Sequence, residues 1–166
     1  ASCPYFWPIG NRHIFLFFSH TTGSQYLLGD YNKEEHCFYP TFHGRFNFMS
    51  FLPGGVHAPS ATSDGKGGVI VIHNMHTGKK TSGWRGITTL PRRLTLDKCD
   101  TINIQPYGDY ESLRTHHKHI DKLNLPANEE IIIDNIKGNA LEIKAEININ
   151  SSPMIEMNVL RSPDKE

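Results

Sequence analysis

The chain has 166 residues, with 17 Lys and Arg against 17 Asp and Glu, so its formal charge is zero with neutral histidines. That balance offers no bulk attraction to nucleic acid or to an acidic membrane surface, and no apolar run is long enough for a membrane-spanning helix. Apolar residues at 37% and aromatics at 10% are enough for a packed core of about one domain.

In chain order, runs of β-branched and aromatic residues predict strands over 5–8, 13–19, 25–30, 37–39, 56–61, 69–75, 87–89, 94–96 and 102–105. Clusters of Gly, Pro, Asn and Asp break them at 10–11, 21–24, 32–35, 53–55, 64–68 and 77–83. Many short strands at near-regular spacing point to an all-β sandwich, barrel or propeller. Gly65-Lys66-Gly67-Gly68 reads as a hairpin and not a phosphate loop, because no helix follows it.

The texture changes near Leu113. Residues 114–122 carry His116, His117 and His119 among charges and read as a linker or a short helix. Further strands are predicted at 129–134, 140–150 and 154–161. Leu141, Ile143, Ala145, Ile147 and Ile149 alternate with Glu142, Lys144, Glu146, Asn148 and Asn150, the pattern of a strand with one wet face. Three strands are too few for an independent sandwich. The second module is therefore expected to be truncated or completed by something else.

The chemistry legible in single residues is sparse. Cys3, Cys37 and Cys99 form no CxxC motif and read as free buried thiols, with a single disulfide left open and the compartment undetermined. Glycosidic hydrolysis needs two carboxyl groups flanking the bond. Every acid in the first 114 residues stands at a turn or beside charge, and none has the apolar setting that raises a general acid's pKa. His116 and His119 share a helical spacing that suits a metal, but no Cys or close carboxylate completes the set. His73 and Asn74 follow the β-branched run 69–72, which places polar groups at a strand end.

Three stretches together resemble glycoside hydrolase family 32, the β-fructosidases. They are Cys3-Pro4-Tyr5-Phe6-Trp7-Pro8-Ile9-Gly10 with the strand 12–20 after it, Gly54-Gly55-Val56-His57-Ala58-Pro59-Ser60, and Gly83-Trp84 through Leu90-Pro91-Arg92-Arg93-Leu94. Gln105-Pro106 and Glu111-Ser112-Leu113-Arg114 extend the match. The resemblance implies a partial five-bladed β-propeller of about two blades over 1–114, a linker at 115–122 and the first strands of a β-sandwich over 123–166. It implies a retaining enzyme acting on fructosyl bonds of sucrose or fructans, with no cofactor and no metal.

The resemblance also carries departures. The family's nucleophile and transition-state-stabilising aspartates lie in Asn-Asp-Pro and Arg-Asp-Pro motifs, and neither motif occurs here; both are expected upstream of Ala1. The family's acid/base glutamate precedes Cys-Pro, where this chain has Ser2, a cloning remnant or a natural substitution. A serine hydroxyl is far too weak an acid for that role. A tryptophan often lines the family's sugar pocket at the place held here by Asn74. The expected contribution is therefore a pocket wall made by Cys3, His57, His73 and Asn74, with Trp84 as a pocket or packing aromatic. The expected partners are a fructose-containing sugar, the missing N-terminal blades or a partner chain, and a second copy through open sheet edges. The alternatives are a non-catalytic carbohydrate-binding or scaffold protein on the same fold, and an unrelated small β-sandwich adhesion domain.

Overall fold

A computed structural model describes residues 2–46, 55–76, 82–84, 86–138 and 140–159. Ala1, parts of the breaks at 53–55 and 77–83, Gly54 and Arg85 of the resembling stretches, and the end of the strand predicted at 154–161 lie outside the described residues. The chain divides into two compact units, Ala1–Tyr110 and Glu111–Glu166.

The first unit is all-β. Its strands are β1 (Ser2–Ile9), β2 (Arg12–Ser19), β3 (Gly23–Asn32), β4 (Cys37–Arg45), β5 (Gly55–Ser63), β6 (Val69–His76), β7 (Gly86–Thr88), β8 (Arg92–Leu96) and β9 (Ile102–Pro106). The first four form one antiparallel sheet in the order β1-β2-β3-β4. The second sheet runs β5-β6-β8-β9, and β7 also pairs with β6. β6 meets β8 over 69–71 and β7 over 74–76, so β7 and β8 share one strand position. Thr89-Leu90-Pro91 interrupts it, where Pro91 has no N–H to give a ladder. Each sheet is thus a four-position meander.

Alternation decides which face is buried. On β2, Ile14, Leu16 and Phe18 point inward and His13, Phe15 and Phe17 outward. Ile9, Ile14, Leu16 and Leu28 of the first sheet meet Val69, Val71 and Leu94 of the second in one cluster. Each such side chain contributes about 1.5–3 kcal/mol on leaving water. β5 lies against β1, β2 and β3.

The outward face of the first sheet is aromatic too. Phe6 sits 5.3 Å from His13, 5.5 Å from Tyr31 and 5.2 Å from Phe38, ring centre to ring centre, and remains 38% exposed.

Polar pins hold the two sheets at the end remote from Ser2. The Gly10 N–H donates to the Gly67 carbonyl at 2.8 Å, joining the β1–β2 turn to the β5–β6 hairpin. Asp64 Oδ1 accepts from the N–H of Lys66 and Gly68, and Gly65 and Gly67 take the positive φ of 69° and 83° that this hairpin requires. Burial pushes the Asp64 carboxyl up, but those N–H groups and Arg93 at 2.5 Å outweigh it, leaving its pKa lowered. Arg12 pairs with Asp30 at 2.7 Å and with Asp100, and donates to Thr41 at 2.6 Å.

All nine strands expected before residue 110 form. Two expectations need correction. Cys3, Cys37 and Cys99 are free but exposed, since each stands at an open strand end or in a turn. In the second unit the segments 129–134, 140–150 and 154–159 form no strand among the described residues, where a three-residue 3-10 turn, Glu111–Leu113, is the only regular element. Alternation supplies the faces of a strand, but pairing supplies its hydrogen bonds, and these segments have no paired neighbour among the described residues.

Candidate functional site

Four of the expected residues gather at one end of the first unit. Pro4 cannot donate to a ladder, and β1 bulges there: its register against β2 shifts between Ser2, opposite Phe18, and Tyr5, opposite Leu16. Cys3, just before that proline, has φ of 53°. β5 repeats the device. Its register against β6 shifts between His57, opposite Asn74, and Pro59, opposite His73, and Ala58 before the proline has φ of 29°. The opening strand of each sheet therefore carries an X-Pro bulge with a left-handed residue before the proline. Ser2 and His57 hold equivalent positions one residue earlier. A left-handed non-glycine residue is strained by roughly 1–2 kcal/mol, so both bulges are held by their surroundings.

Phe18 links the two bulges. It stands opposite Ser2 on β2, and its ring centre lies 5.1 Å from that of His57. Across β6, Asn74 is opposite both His57 on β5 and Thr88 on β7, and its side chain is exposed. His73 faces the interior and is 1% exposed. Its backbone N–H donates to Thr89 Oγ1 at 3.0 Å, and the Thr89 N–H returns a bond to its carbonyl at 2.8 Å. The imidazole lies 5.0 Å from the Phe46 ring, and neither of its nitrogens has a partner among the described residues. Burial, then the charge of Arg92 and that of His57, push its pKa down to about 4. At neutral pH it is therefore an uncharged ring offering one donor and one acceptor.

Sequence reasoning missed part of this end. Ser24 is buried, its hydroxyl has no partner among the described residues, and its carbonyl accepts from the Phe46 N–H at 3.0 Å. Gln25, 5% exposed, has its Oε1 2.6 Å from His43 Nε2 and donates through Nε2 to Thr22. The signal was the pair Ser24-Gln25 directly before Tyr26-Leu27-Leu28: polar residues at the buried start of a strand.

Other expected residues stand elsewhere or apart. Trp84 is 48% exposed in the segment before β7. His116, His117 and His119 are exposed in the second unit, where His119 lies 3.6 Å from Asp121. Among the described residues no group of three or more His, Cys, Asp or Glu is placed to hold a metal ion. A separate cleft of about 230 Å³ is lined by Arg12, Tyr26, Thr41, Phe42, Cys99 and Asp100 among others, and its one cation is already neutralised by carboxylates. His73 and Asn74 are successive residues of β6, so the buried ring and the exposed amide stand on opposite sides of the strand. The chain matches no protein-family model, and no curated protein is significantly similar to it.

Proposed function

We propose that this chain provides the closing blades of a β-fructosidase-like propeller and one wall of a pocket for a fructose-containing sugar, without the catalytic carboxylates. The observation carrying this reading is the repeated X-Pro bulge. Cys3-Pro4 and Ala58-Pro59 lie in two of the three stretches that carry the resemblance to glycoside hydrolase family 32, and each opens a four-position meander with its polar neighbour, Ser2 or His57, at the same end. The exposed aromatic face of the first sheet favours a further blade packed on it, from a partner chain or from sequence beyond these residues. On this reading residues 123–166 begin a β-sandwich.

Ser2 in the acid/base place also favours a second reading, a non-catalytic carbohydrate-binding protein on the same fold. Titration of the 15N-labelled chain with fructose, sucrose and inulin tests the shared part. Shifts are expected at His57, His73 and Asn74, and Asn74→Ala should weaken binding by about 3–10-fold, the value of one lost hydrogen bond. Binding that leaves these signals unmoved removes the site. Hydrolysis of sucrose by the purified chain alone overturns the missing carboxylates. Hydrolysis gained only after adding the complementary blades separates the enzyme from the binding protein.

A further inference from the structure

We propose that residues 141–149 form a self-complementary strand and join two copies of this chain antiparallel, with Ala145 opposite Ala145. Three observations converge on it. First, the segment has strand alternation but no strand: among the described residues none of 141–148 makes a backbone–backbone hydrogen bond. Its apolar side chains are bare, with Leu141 45%, Ile143 51%, Ile147 50% and Ile149 53% exposed. Unpaired N–H and C=O groups beside an uncovered apolar row form a template for another strand.

Second, the sequence matches its own reverse about Ala145 with unlike charges opposed. About Ala145, Leu141 faces Ile149 and Ile143 faces Ile147 on the apolar side. On the wet side Lys144 faces Glu146 twice, and Glu142 faces Asn148. Directly opposed charges of unlike sign stabilise an antiparallel pair and like charges oppose it. A register centred on Lys144 would set Lys144 against itself and Glu142 against Glu146. A parallel in-register pair would stack every charge on its like.

Third, Glu142 decides between the register about Ala145 and the neighbouring one about Ile143. A pair centred on Ile143 would require Glu142 to serve Lys144. Glu142 is already held by Arg114, whose Nε and second terminal nitrogen reach its two oxygens at 2.5 and 2.8 Å, and this pairing keeps its pKa low. The register about Ala145 places only the neutral Asn148 opposite Glu142 and leaves that fork intact.

Two strands alone are marginal in water, and three or more are needed. Each copy also brings the bare apolar runs around Ile132, 73% exposed, and Met154, 76% exposed. Two copies thus hold six candidate segments where one holds three, enough to cover a shared apolar face. The occupant is a second copy because the complementarity is with the segment itself.

Sedimentation of the chain from about 5 to about 500 μM should show a reversible monomer–dimer equilibrium. Lys144→Glu, which opposes Glu to Glu twice, should raise the dissociation constant by about tenfold, and the charge swap Lys144→Glu with Glu146→Lys should restore it. With Cys3, Cys37 and Cys99 changed to Ser, Ala145→Cys should form an intermolecular disulfide on mild oxidation. Residues directly opposed across an antiparallel pair lie within disulfide reach. Leu141→Cys faces Ile149 and should not link. A chain that stays monomeric throughout overturns the proposal, as would a dimer indifferent to charge reversal or one that Leu141→Cys links as well as Ala145→Cys. None of these readouts involves sugar, so they stand or fall apart from the reading of the pocket.

Discussion

A buried imidazole with two unpartnered nitrogens is costly, and His73 holds that position in the first unit. An unfolded chain protonates a histidine near pH 6.5, whereas His73 in place resists protonation until about pH 4. Between those values the unfolded state binds more protons, so stability falls as pH falls through the window and levels off below it. The full loss is about 3 kcal/mol by the linkage relation. Urea titrations at pH 7 and pH 4.5 should show it, and His73→Phe should remove that part of the dependence. The same variant should be more stable at pH 7 by about 1–2 kcal/mol, because two desolvated polar atoms leave the core. It should also bind sugar more weakly if the imidazole contacts ligand. Gain of stability with loss of binding marks a group retained for function; unchanged affinity would make His73 a packing residue. Residue type alone could not reveal this, since the sequence shows a histidine after four β-branched residues and not whether its ring finds a partner.

Element boundaries show what local pattern conveys and what pairing decides. The strand read at 37–39 extends in the structure to Arg45. Pro40 hid the remainder, because a proline usually ends a ladder. Here it sits on the edge strand β4 at an irregularity, with Gly29 opposite Pro40 and Leu28 opposite Phe42, where the missing N–H costs little. Gly29 makes that irregularity fit. A Cβ there would run into the Tyr39 carbonyl, the Pro40 Cα and the Phe38 ring. Backbone on two sides cannot yield cheaply, so Gly29→Ala should destabilise the first unit by about 1–3 kcal/mol, the usual range for overpacking. Gly65→Ala meets nothing within 4 Å but must hold a positive φ, and should cost about 1 kcal/mol. Thermal midpoints of the two variants rank the effects. Equal losses would mean that β4 yields at Gly29. The β1 and β5 bulges were legible only as Cys-Pro and Ala-Pro dipeptides; their equivalence came from register, which no local pattern carries.

At the scale of the whole chain, the two units differ in what encloses their apolar residues. In Ala1–Tyr110 alternation on one sheet meets alternation on another, and the cluster from Ile9 to Leu94 is sealed. In Glu111–Glu166 the same period-two pattern finds no opposing layer among the described residues, and Ile143 and Ile147 stay half exposed. A strand signal is a statement about faces, and it becomes a strand only when another chain segment accepts its hydrogen bonds. Amide hydrogen exchange separates the two conditions. At about 5 μM the amides of β2 and β6 should exchange only through global opening, while those of 142–148 exchange at nearly unprotected rates. At about 500 μM a strand pair centred on Ala145 should protect 142–148 in alternation. In an antiparallel ladder every second residue exchanges both bonds with its partner while those between face outward. Protection strongest at residues of one parity, and lost in Lys144→Glu, is the signature of a register-specific pair. Protection that rises with concentration and persists in Lys144→Glu would instead mean unspecific collapse of the exposed isoleucines.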